Sequence, residues 1–202
     1  LVGGAWRTLA IVHMTIRNYP IHILQNYSIS GQDALEITTF LASQSRKSIE
    51  KIPGISARRA ETLPYASILL KSIIECADVE QLIFSAYGLR EGVLFERFSA
   101  KSSFANPLMA SALAVGAKTK MEKEFSVAMK KWLQNIVNFA TENLGLKLDE
   151  ELLLAACYLA NIGKDLHPDH RTRLAYDLVL QGPYPSASHE ERLYLARIIA
   201  IR

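Results

Sequence analysis

The sequence is poor in cysteine and contains no long apolar run. Cys76 and Cys157 are the two cysteines among 202 residues, too few for a disulfide framework. The apolar run 152–160 is far shorter than the roughly 20 residues that a helix needs to span a bilayer. These shortages argue against a disulfide-stapled secreted domain and a transmembrane protein, and they favour a reducing cytoplasm.

The chain also has little excess of positive over negative charge. Lys and Arg total 23 against 20 Asp and Glu, so the net charge is only +3. An excess this small does not establish nucleic-acid binding, and we expect none. Half of the residues are hydrophobic, enough to bury one good core or two modest ones.

The opening stretch "LVGGAWRTLA" has neither an initiating Met nor the features of a signal peptide. We therefore expect the chain to begin within a larger protein.

A strand, a glycine turn and a helix follow one another twice in the first 100 residues. "LVGG" reads as a strand end with a turn at Gly3 and Gly4, before a helix with apolar residues at helical spacing. Later, a short buried strand 82–84 precedes Gly88 and a helix from Leu89. The inward residues predicted for this second helix are Val93, Leu94 and Phe98.

Between these two units the pattern is mainly helical. "YPIHILQNYSI" is a strand or an extended connection, and Ser30 with Asp33 predicts the capped start of a helix. Ser56 is expected to cap a short helix "ARRAETL", and Pro64 to open a separate one.

Beyond residue 98 the sequence predicts helices and no strand. The expected helices are 123–144, closed by Gly145; one capped by Asp149; 171–181; and 188–201. The first is amphipathic, with Phe125, Trp132 and Ile136 on one face. A boundary near residue 100 thus separates an α/β part from an all-α part.

The two glycine turns have the build of phosphate-binding sites. Unpaired N–H groups and the positive end of the helix dipole at a helix start attract phosphate. Gly3 and Gly4 are followed by Arg7, and Gly88 by Arg90, whose guanidinium forks match phosphate oxygens. Taken singly, each glycine is also explained by turn geometry alone.

Three segments, "GGAWRTLA", "GIS.RRAETLPYA" and "FSAYGLREGVLFE", occur in an order and spacing that resemble the exopolyphosphatases and guanosine pentaphosphate phosphatases. "YGLREG" is the most specific of these matches. Later stretches, "LLLAACYLANIG" and "SHEERLYLA", look like the helical C-terminal domain of longer members. The resemblance therefore covers essentially the whole chain.

This resemblance implies an α/β plus all-α fold. Residues 1–100 would be the later part of the second actin-like domain, of the ribonuclease H-like class shared by acetate kinase, sugar kinases and actin. Residues 101–202 would be a degenerate HD-like helical domain. The family's Asp-x-Gly-Ser loop, catalytic glutamate and Asp-x-Gly-Gly-Gly-Ser stretch have no counterpart here. We therefore expect the chain to be a C-terminal fragment whose catalytic residues lie upstream.

An HD domain needs an upstream His, a His-Asp pair and a later Asp as metal ligands. In the matching register, Ala160 and Asn161 stand at the paired positions, and no His occurs between residues 23 and 166. His167, Asp169 and His170 are then best explained as a helix start with Asp169 as its cap. We expect no metal site in this chain.

The implied activity is removal of terminal orthophosphate from inorganic polyphosphate or from guanosine pentaphosphate, with Mg²⁺ as cofactor. The phosphate-binding wall would consist of Gly3, Gly4, Arg7, Gly88 and Arg90. Glu91 either orients that site or forms a simple ion pair. Arg58 and Arg59 either line the path of a polyanion or form a solvated face.

Two other functions stay open. The fragment can be a non-catalytic polyanion-binding or dimerisation module, with the apolar helix 190–201 favouring a homodimer. It can also be a relative of the small-molecule kinases, which would bind a nucleoside triphosphate.

Overall fold

The computed structural model describes residues 1–53, 55–99, 106–145 and 149–201, with no side-chain description for 98 and 99. The chain divides into two compact units, Leu1–Lys101 and Ser102–Arg202. Within the described ranges, every helix is too short or too polar to cross a membrane.

The first unit contains five helices and two strands among its described residues. In chain order they are α1 (Gly4–Ile16), β1 (Tyr27–Ser30), α2 (Gly31–Ser43), α3 (Arg46–Glu50), α4 (Ala57–Ala77), β2 (Gln81–Phe84) and α5 (Leu89–Ser99). The strands pair antiparallel, with Tyr27 opposite Phe84 and Ser30 opposite Gln81. The predicted strand 82–84 is confirmed, and the ambiguous stretch before Ser30 supplies a strand of only four residues.

Helix α2 starts where the sequence places its cap. The Ser30 hydroxyl accepts a hydrogen bond from the backbone N–H of Asp33 at 3.0 Å. It also donates to the Asp33 carboxylate at 2.6 Å. Ser30 thus ends β1 and caps α2, which carries Asp33 into the surface beside α1.

The core of the first unit lies where α1, α2 and α4 meet the two strands. Its members are fully or almost fully buried, and they include Leu9, Val12, Leu41, Leu63, Leu70 and Phe84. Apolar side chains at helical spacing on α1 and α4 therefore converge on the small sheet.

The predicted helix break at Pro64 is wrong. Pro64 lies inside the continuous helix α4, although an interior proline typically costs about 3 kcal/mol. Helix α4 buries one face along its length, which offsets this cost by packing. The buried residues of that face are Ala60, Leu63, Ser67, Leu70 and Ile74.

Two further predictions for the first unit fail. No strand is assigned at Leu1 to Gly4, although Leu1 donates to the Ile83 carbonyl at 2.5 Å and accepts from the Ser85 N–H at 3.0 Å. Val93 and Leu94 are exposed and not inward, because α5 packs few side chains within this unit. Phe98 lies outside the described side chains.

The described part of the second unit is all helical, as the sequence predicts. Its helices are α6 (Pro107–Gly116), α7 (Lys120–Leu144), α8 (Glu150–Leu159), α9 (Pro168–Leu180) and α10 (His189–Ala200). Gly145 ends α7 in the left-handed conformation, with φ 65°, and Asp149 caps α8. Ser188 caps α10 in a capping box with Glu191.

The apolar face predicted on α7 is exposed to solvent. Trp132 and Phe139 are 68% and 62% exposed, while the residues buried on this helix are Ser126 and Val137. Of the two cysteines, Cys76 is exposed on α4 and Cys157 is buried. An amphipathic pattern identifies a helix but does not say which neighbour covers its apolar side.

A buried arginine organises the core of the second unit. Arg192 on α10 is 2% exposed. Its guanidinium donates to the carbonyls of Gly182 at 2.7 Å, Tyr184 at 2.6 Å and Leu180 at 3.3 Å. It also lies over the Tyr184 ring, 5.5 Å from the centroid. One side chain therefore satisfies three carbonyls of the turn that joins α9 to α10.

We expect Arg192→Met to lower the free energy of unfolding of the second unit by about 3 kcal/mol, because hydrogen bonds to a charged donor are lost and buried carbonyls are left unpaired. Urea denaturation followed by circular dichroism measures the change. Arg197→Met, on the exposed side of the same helix, is the matched control. Equal midpoints for the two variants would contradict this account.

Candidate phosphate-binding site

The first glycine turn leads directly into α1. Gly3 precedes the helix with φ 126°, a backbone conformation that side-chain-bearing residues rarely adopt. Its carbonyl accepts from the Arg7 N–H at 3.0 Å, which closes the first turn of the helix. Gly3 has no side chain with which to cap this helix start, so the first N–H groups of α1 can receive an anion.

The second turn joins β2 to α5. The Gly88 N–H donates to a carboxylate oxygen of Glu91 at 2.7 Å, and the Gly88 carbonyl accepts from Gly92 at 3.0 Å. Ser85 accepts from the Tyr87 N–H at 3.1 Å. These contacts fold residues 85–88 tightly against the start of α5.

Gln25 holds this second turn from outside. Its side-chain oxygen accepts from the backbone N–H of Ala86 at 2.8 Å and lies 3.2 Å from the Ser85 hydroxyl. No sequence signal points to Gln25, because it lies sixty positions before the turn, in a stretch without a motif. Only the pairing of β1 with β2 brings the two together.

The two turns lie side by side. Ser85 donates its N–H to the Leu1 carbonyl at 3.0 Å, and the Arg7 guanidinium donates to the carbonyl of Ala86. A methyl group on Gly88 would lie 3.6 Å from the side chain of Val2. Residues from both predicted turns therefore form one continuous surface.

This surface combines positive charge with one carboxylate. Arg7, Arg90 and Glu91 are all exposed. The Gly88 N–H, followed by the charges of Arg90 and Arg7, holds the pKa of the Glu91 carboxyl below its ordinary value. Glu91 thus remains ionised at neutral pH and occupies the N–H that an anion would use at the second turn.

Arg58 and Arg59 lie on a different helix from the residues of the glycine turns. Both are exposed in the first turn of α4, whose cap residue Ser56 makes no side-chain cap hydrogen bond. The glycine turns instead belong to α1 and α5. The two roles predicted for these arginines, a polyanion path and a solvated face, stay predictions.

The segment after α8, which resembles an HD site in sequence, makes helix-capping contacts. Within the described ranges, no group of three or more His, Cys, Asp or Glu side chains is arranged to hold a metal ion. His167, and not the predicted Asp169, caps α9: its Nδ1 accepts from the Asp169 N–H at 3.3 Å. The cap moves by two residues because the proline at 168 occupies the first helical position.

An ion pair lies beside Asn161 in the same region. Lys164 donates to Glu122 at 2.5 Å, and Glu122 also accepts from the Thr119 N–H at 2.8 Å. These contacts lower the pKa of Glu122 to about 2, with the Lys164 hydrogen bond as the largest cause. Both side chains line a cavity of about 470 Å³ together with Asn161.

The profile of the Ppx/GppA phosphatase family matches residues 1–101. The chain therefore belongs to this family of phosphatases, and the resemblance seen in the sequence is confirmed over these residues. Family membership implies an actin-like fold. The first unit, with its helices around a small sheet, is compatible with that fold. A search of the curated proteins found no match to this chain.

The Glu122 carboxylate makes the stability of the second unit depend on pH. Its pKa is about 2 in the folded state against 4.5 ordinarily, so its contribution is complete above about pH 4.5 and is lost as the pH falls toward 2. We expect Glu122→Gln to lower the urea midpoint at pH 7 and to flatten its decline in acid.

Urea titrations between pH 7 and pH 2.5 measure this dependence. Glu124→Gln is the matched control, because Glu124 lies two residues away and is exposed at 3.7 Å from Lys120. A decline as steep in Glu122→Gln as in the unaltered chain would show that other groups cause the acid sensitivity.

Proposed function

We propose that the parent of this chain is a hydrolase that removes terminal orthophosphate from inorganic polyphosphate, or the corresponding phosphate from guanosine pentaphosphate. Membership of a phosphatase family supports the reaction class. One observation supports the proposal for this part of the chain: the two glycine turns lie side by side, since Arg7 donates to the Ala86 carbonyl and Ser85 donates to the Leu1 carbonyl.

In this proposal the wall of the phosphate cleft consists of Gly3, Gly4, Arg7, Gly88 and Arg90. Gly88 contributes the shape of the turn and not its N–H, which donates to Glu91. The uncapped start of α1 supplies N–H donors and the positive end of a helix dipole. The two guanidinium groups neutralise phosphate oxygens. Neutralisation of spread negative charge by fixed donors is the main way in which proteins assist phosphoryl transfer.

Glu91 is proposed to position the second turn. Its carboxylate accepts from the Gly88 N–H at 2.7 Å and so fixes the start of α5, the helix that carries Arg90. It does not fit the part of the hydrolytic base, because it is engaged by that N–H and its pKa is lowered.

The residues at the two turns do not fit a Mg²⁺ site. Magnesium takes oxygen ligands, above all carboxylates, and among the described side chains these turns provide the single carboxylate of Glu91 beside two guanidinium groups. We therefore propose that the Mg²⁺ ligands and the catalytic carboxylate precede Leu1, in the loops that have no counterpart here.

We further propose that residues 1–100 form the later part of the second actin-like domain and that 101–202 form a degenerate HD-like domain in a cytoplasmic protein. Ala160 and Asn161 at the ligand positions support the loss of metal chemistry in the second part. The helical scaffold then serves as structure, or as surface for a long polyphosphate chain.

The competing function is a non-catalytic polyanion-binding or dimerisation module. The missing loops favour it for these 202 residues taken alone. Helix α10, which the sequence suggested as a dimer surface, instead buries Leu195, Ala196 and Ile199 in its own unit. A homodimer stays a proposal and would need another surface.

Phosphate release from long-chain polyphosphate with Mg²⁺ separates the two functions. The 202 residues are compared with the protein extended to its natural N-terminus. We expect activity in the extended protein alone. Activity in the 202 residues would overturn our location of the catalytic groups, and inactivity of both would favour the binding module.

In the extended protein we expect Arg7→Ala to raise KM for polyphosphate about 10- to 100-fold, because a charge-assisted contact contributes about 1.5–3 kcal/mol. Arg7→Lys keeps the charge and should recover part of the loss. Arg173→Ala, an exposed arginine of the second unit, is the control. Equal KM values for Arg7→Ala and this control would show that Arg7 is not part of the phosphate-binding site.

A further inference from the structure

His13 lies in the interior of the first unit, in the last turn of α1. It is 6% exposed, and its Nδ1 lies 2.6 Å from the Tyr27 hydroxyl of β1. Its other ring nitrogen, Nε2, is buried and has no hydrogen-bond partner among the described residues. Histidine is the side chain that ordinarily gains or loses its charge near neutral pH. The core of this unit therefore contains a group that mild acid can charge.

The surroundings of the ring match one hydrogen bond and not two. In either neutral tautomer Nδ1 has a partner, because the Tyr27 hydroxyl can both donate and accept. Protonation makes both ring nitrogens donors, so Nε2 then becomes a buried N–H without an acceptor on a charged ring. A buried charge without compensation is far more costly than a buried neutral group. Both tautomers lead to the same result, a fold that favours the neutral ring.

The ionised side chains near His13 compensate one another and leave little attraction for a charged ring. Within the described ranges, the charges that act on its pKa are those of Asp33, Arg17 and Glu36, and none comes from α4 or β2. The Arg17 guanidinium donates to Asp33 at 2.6 Å and to Glu36 at 3.3 Å. Both carboxylates therefore already have a cation as their partner.

The other titratable groups beside the ring do not supply a negative charge. Burial raises the pKa of Tyr27 to about 12, so this phenol stays neutral, and the ring of Tyr19 packs edge-on against it at 5.0 Å. Glu80 lines a cavity together with His13, but it is exposed and is not among the charges that act on the histidine. An imidazolium at this position would thus stay uncompensated.

Tyr27 connects His13 to the second glycine turn. It is 2% exposed, it pairs with Phe84 across the two strands, and the two rings stack with their centroids 5.9 Å apart. Phe84 is followed directly by Ser85, where the second turn begins. A change in the packing of α1 against β1 at His13 therefore reaches this turn through one aromatic pair.

We propose that His13 is a pH-sensitive switch of the first unit: protonation of its ring places an uncompensated charge between α1 and β1, loosens their packing and weakens the support of the second glycine turn. The loss of stability does not depend on the proposed phosphatase activity. The effect on the turn matters for anion binding only if that proposed function holds.

The pH range of the switch follows from the direction of the pKa shift. Burial is the largest cause that lowers the pKa of His13 from its ordinary 6.5, Arg17 acts in the same direction, and Asp33 and Glu36 oppose it. As the pH falls, the unfolded chain therefore takes up this proton first. The stabilisation is complete above about pH 6.5 and is lost as the pH falls from there through the folded-state pKa.

Urea titrations of the 202-residue chain at pH 7.5, 6.5 and 5.5 test the proposal. Trp6, which packs against the first core, reports on this unit by fluorescence when Trp132 is replaced in a Trp132→Phe background. We expect the midpoint to fall between pH 7.5 and 5.5. In His13→Asn, whose amide places a hydrogen-bonding atom near the position of Nδ1, the midpoint should change little over this range.

His22→Asn is the matched control, because His22 is the other histidine of residues 1–101 and is exposed. It should keep the full decline. The proposal would be overturned if His13→Asn lost as much stability between these pH values as the unaltered chain. The range lies above that of Glu122 in the second unit, whose contribution is complete above about pH 4.5.

A second measurement does not require any variant to fold. The ¹⁵N resonances of the His13 ring in the unaltered chain report its protonation directly between pH 8 and pH 5. We expect the ring to remain mostly neutral at about pH 6.5, the ordinary midpoint of histidine. Half-protonation at or above that pH would show that the fold tolerates the charge and would overturn the switch.

Discussion

Backbone hydrogen bonds along β2 hold the two glycine turns of the first unit next to each other. One edge of this strand pairs with β1, and the Phe84 carbonyl continues that edge by accepting from Asn26 at 2.9 Å. The opposite edge takes Leu1, through Ile83 and Ser85. Because Leu1 precedes the first glycine turn and Ser85 begins the second, this pairing sets the two turns next to each other.

The ends of α1 carry opposite electrostatic characters. At its start, unpaired N–H groups and Arg7 attract negative charge, in line with the positive end of a helix dipole. Directly after its end, Arg17 donates to Asp33 and Glu36 of α2. Helix α1 therefore separates an anion-attracting surface from an acid-rich one within a single unit of the fold.

Polar contacts hold the helices of the second unit together around Asn161 and around the turn between α9 and α10. Asn161 stands beside the ion pair of Lys164 and Glu122, and His167 serves as a helix cap. Elsewhere in the unit, Arg192 binds the turn between α9 and α10. Polar contacts of this kind stabilise the helices and their connections without placing converging ligands around an ion.

The sequence by itself determined the helix starts at Ser30, Asp149 and Ser188, the end of α7 at Gly145, the strand 82–84 and the family. Such signals are local, because a cap or a turn needs only neighbouring residues. The tertiary structure decided what depends on distant partners. Packing of a long buried face carries α4 through Pro64, and strand pairing brings Gln25 to the second turn. The local pattern also could not predict that the apolar side of α7 is exposed. Hydrophobic periodicity shows which side of a helix is apolar, but not which element covers it.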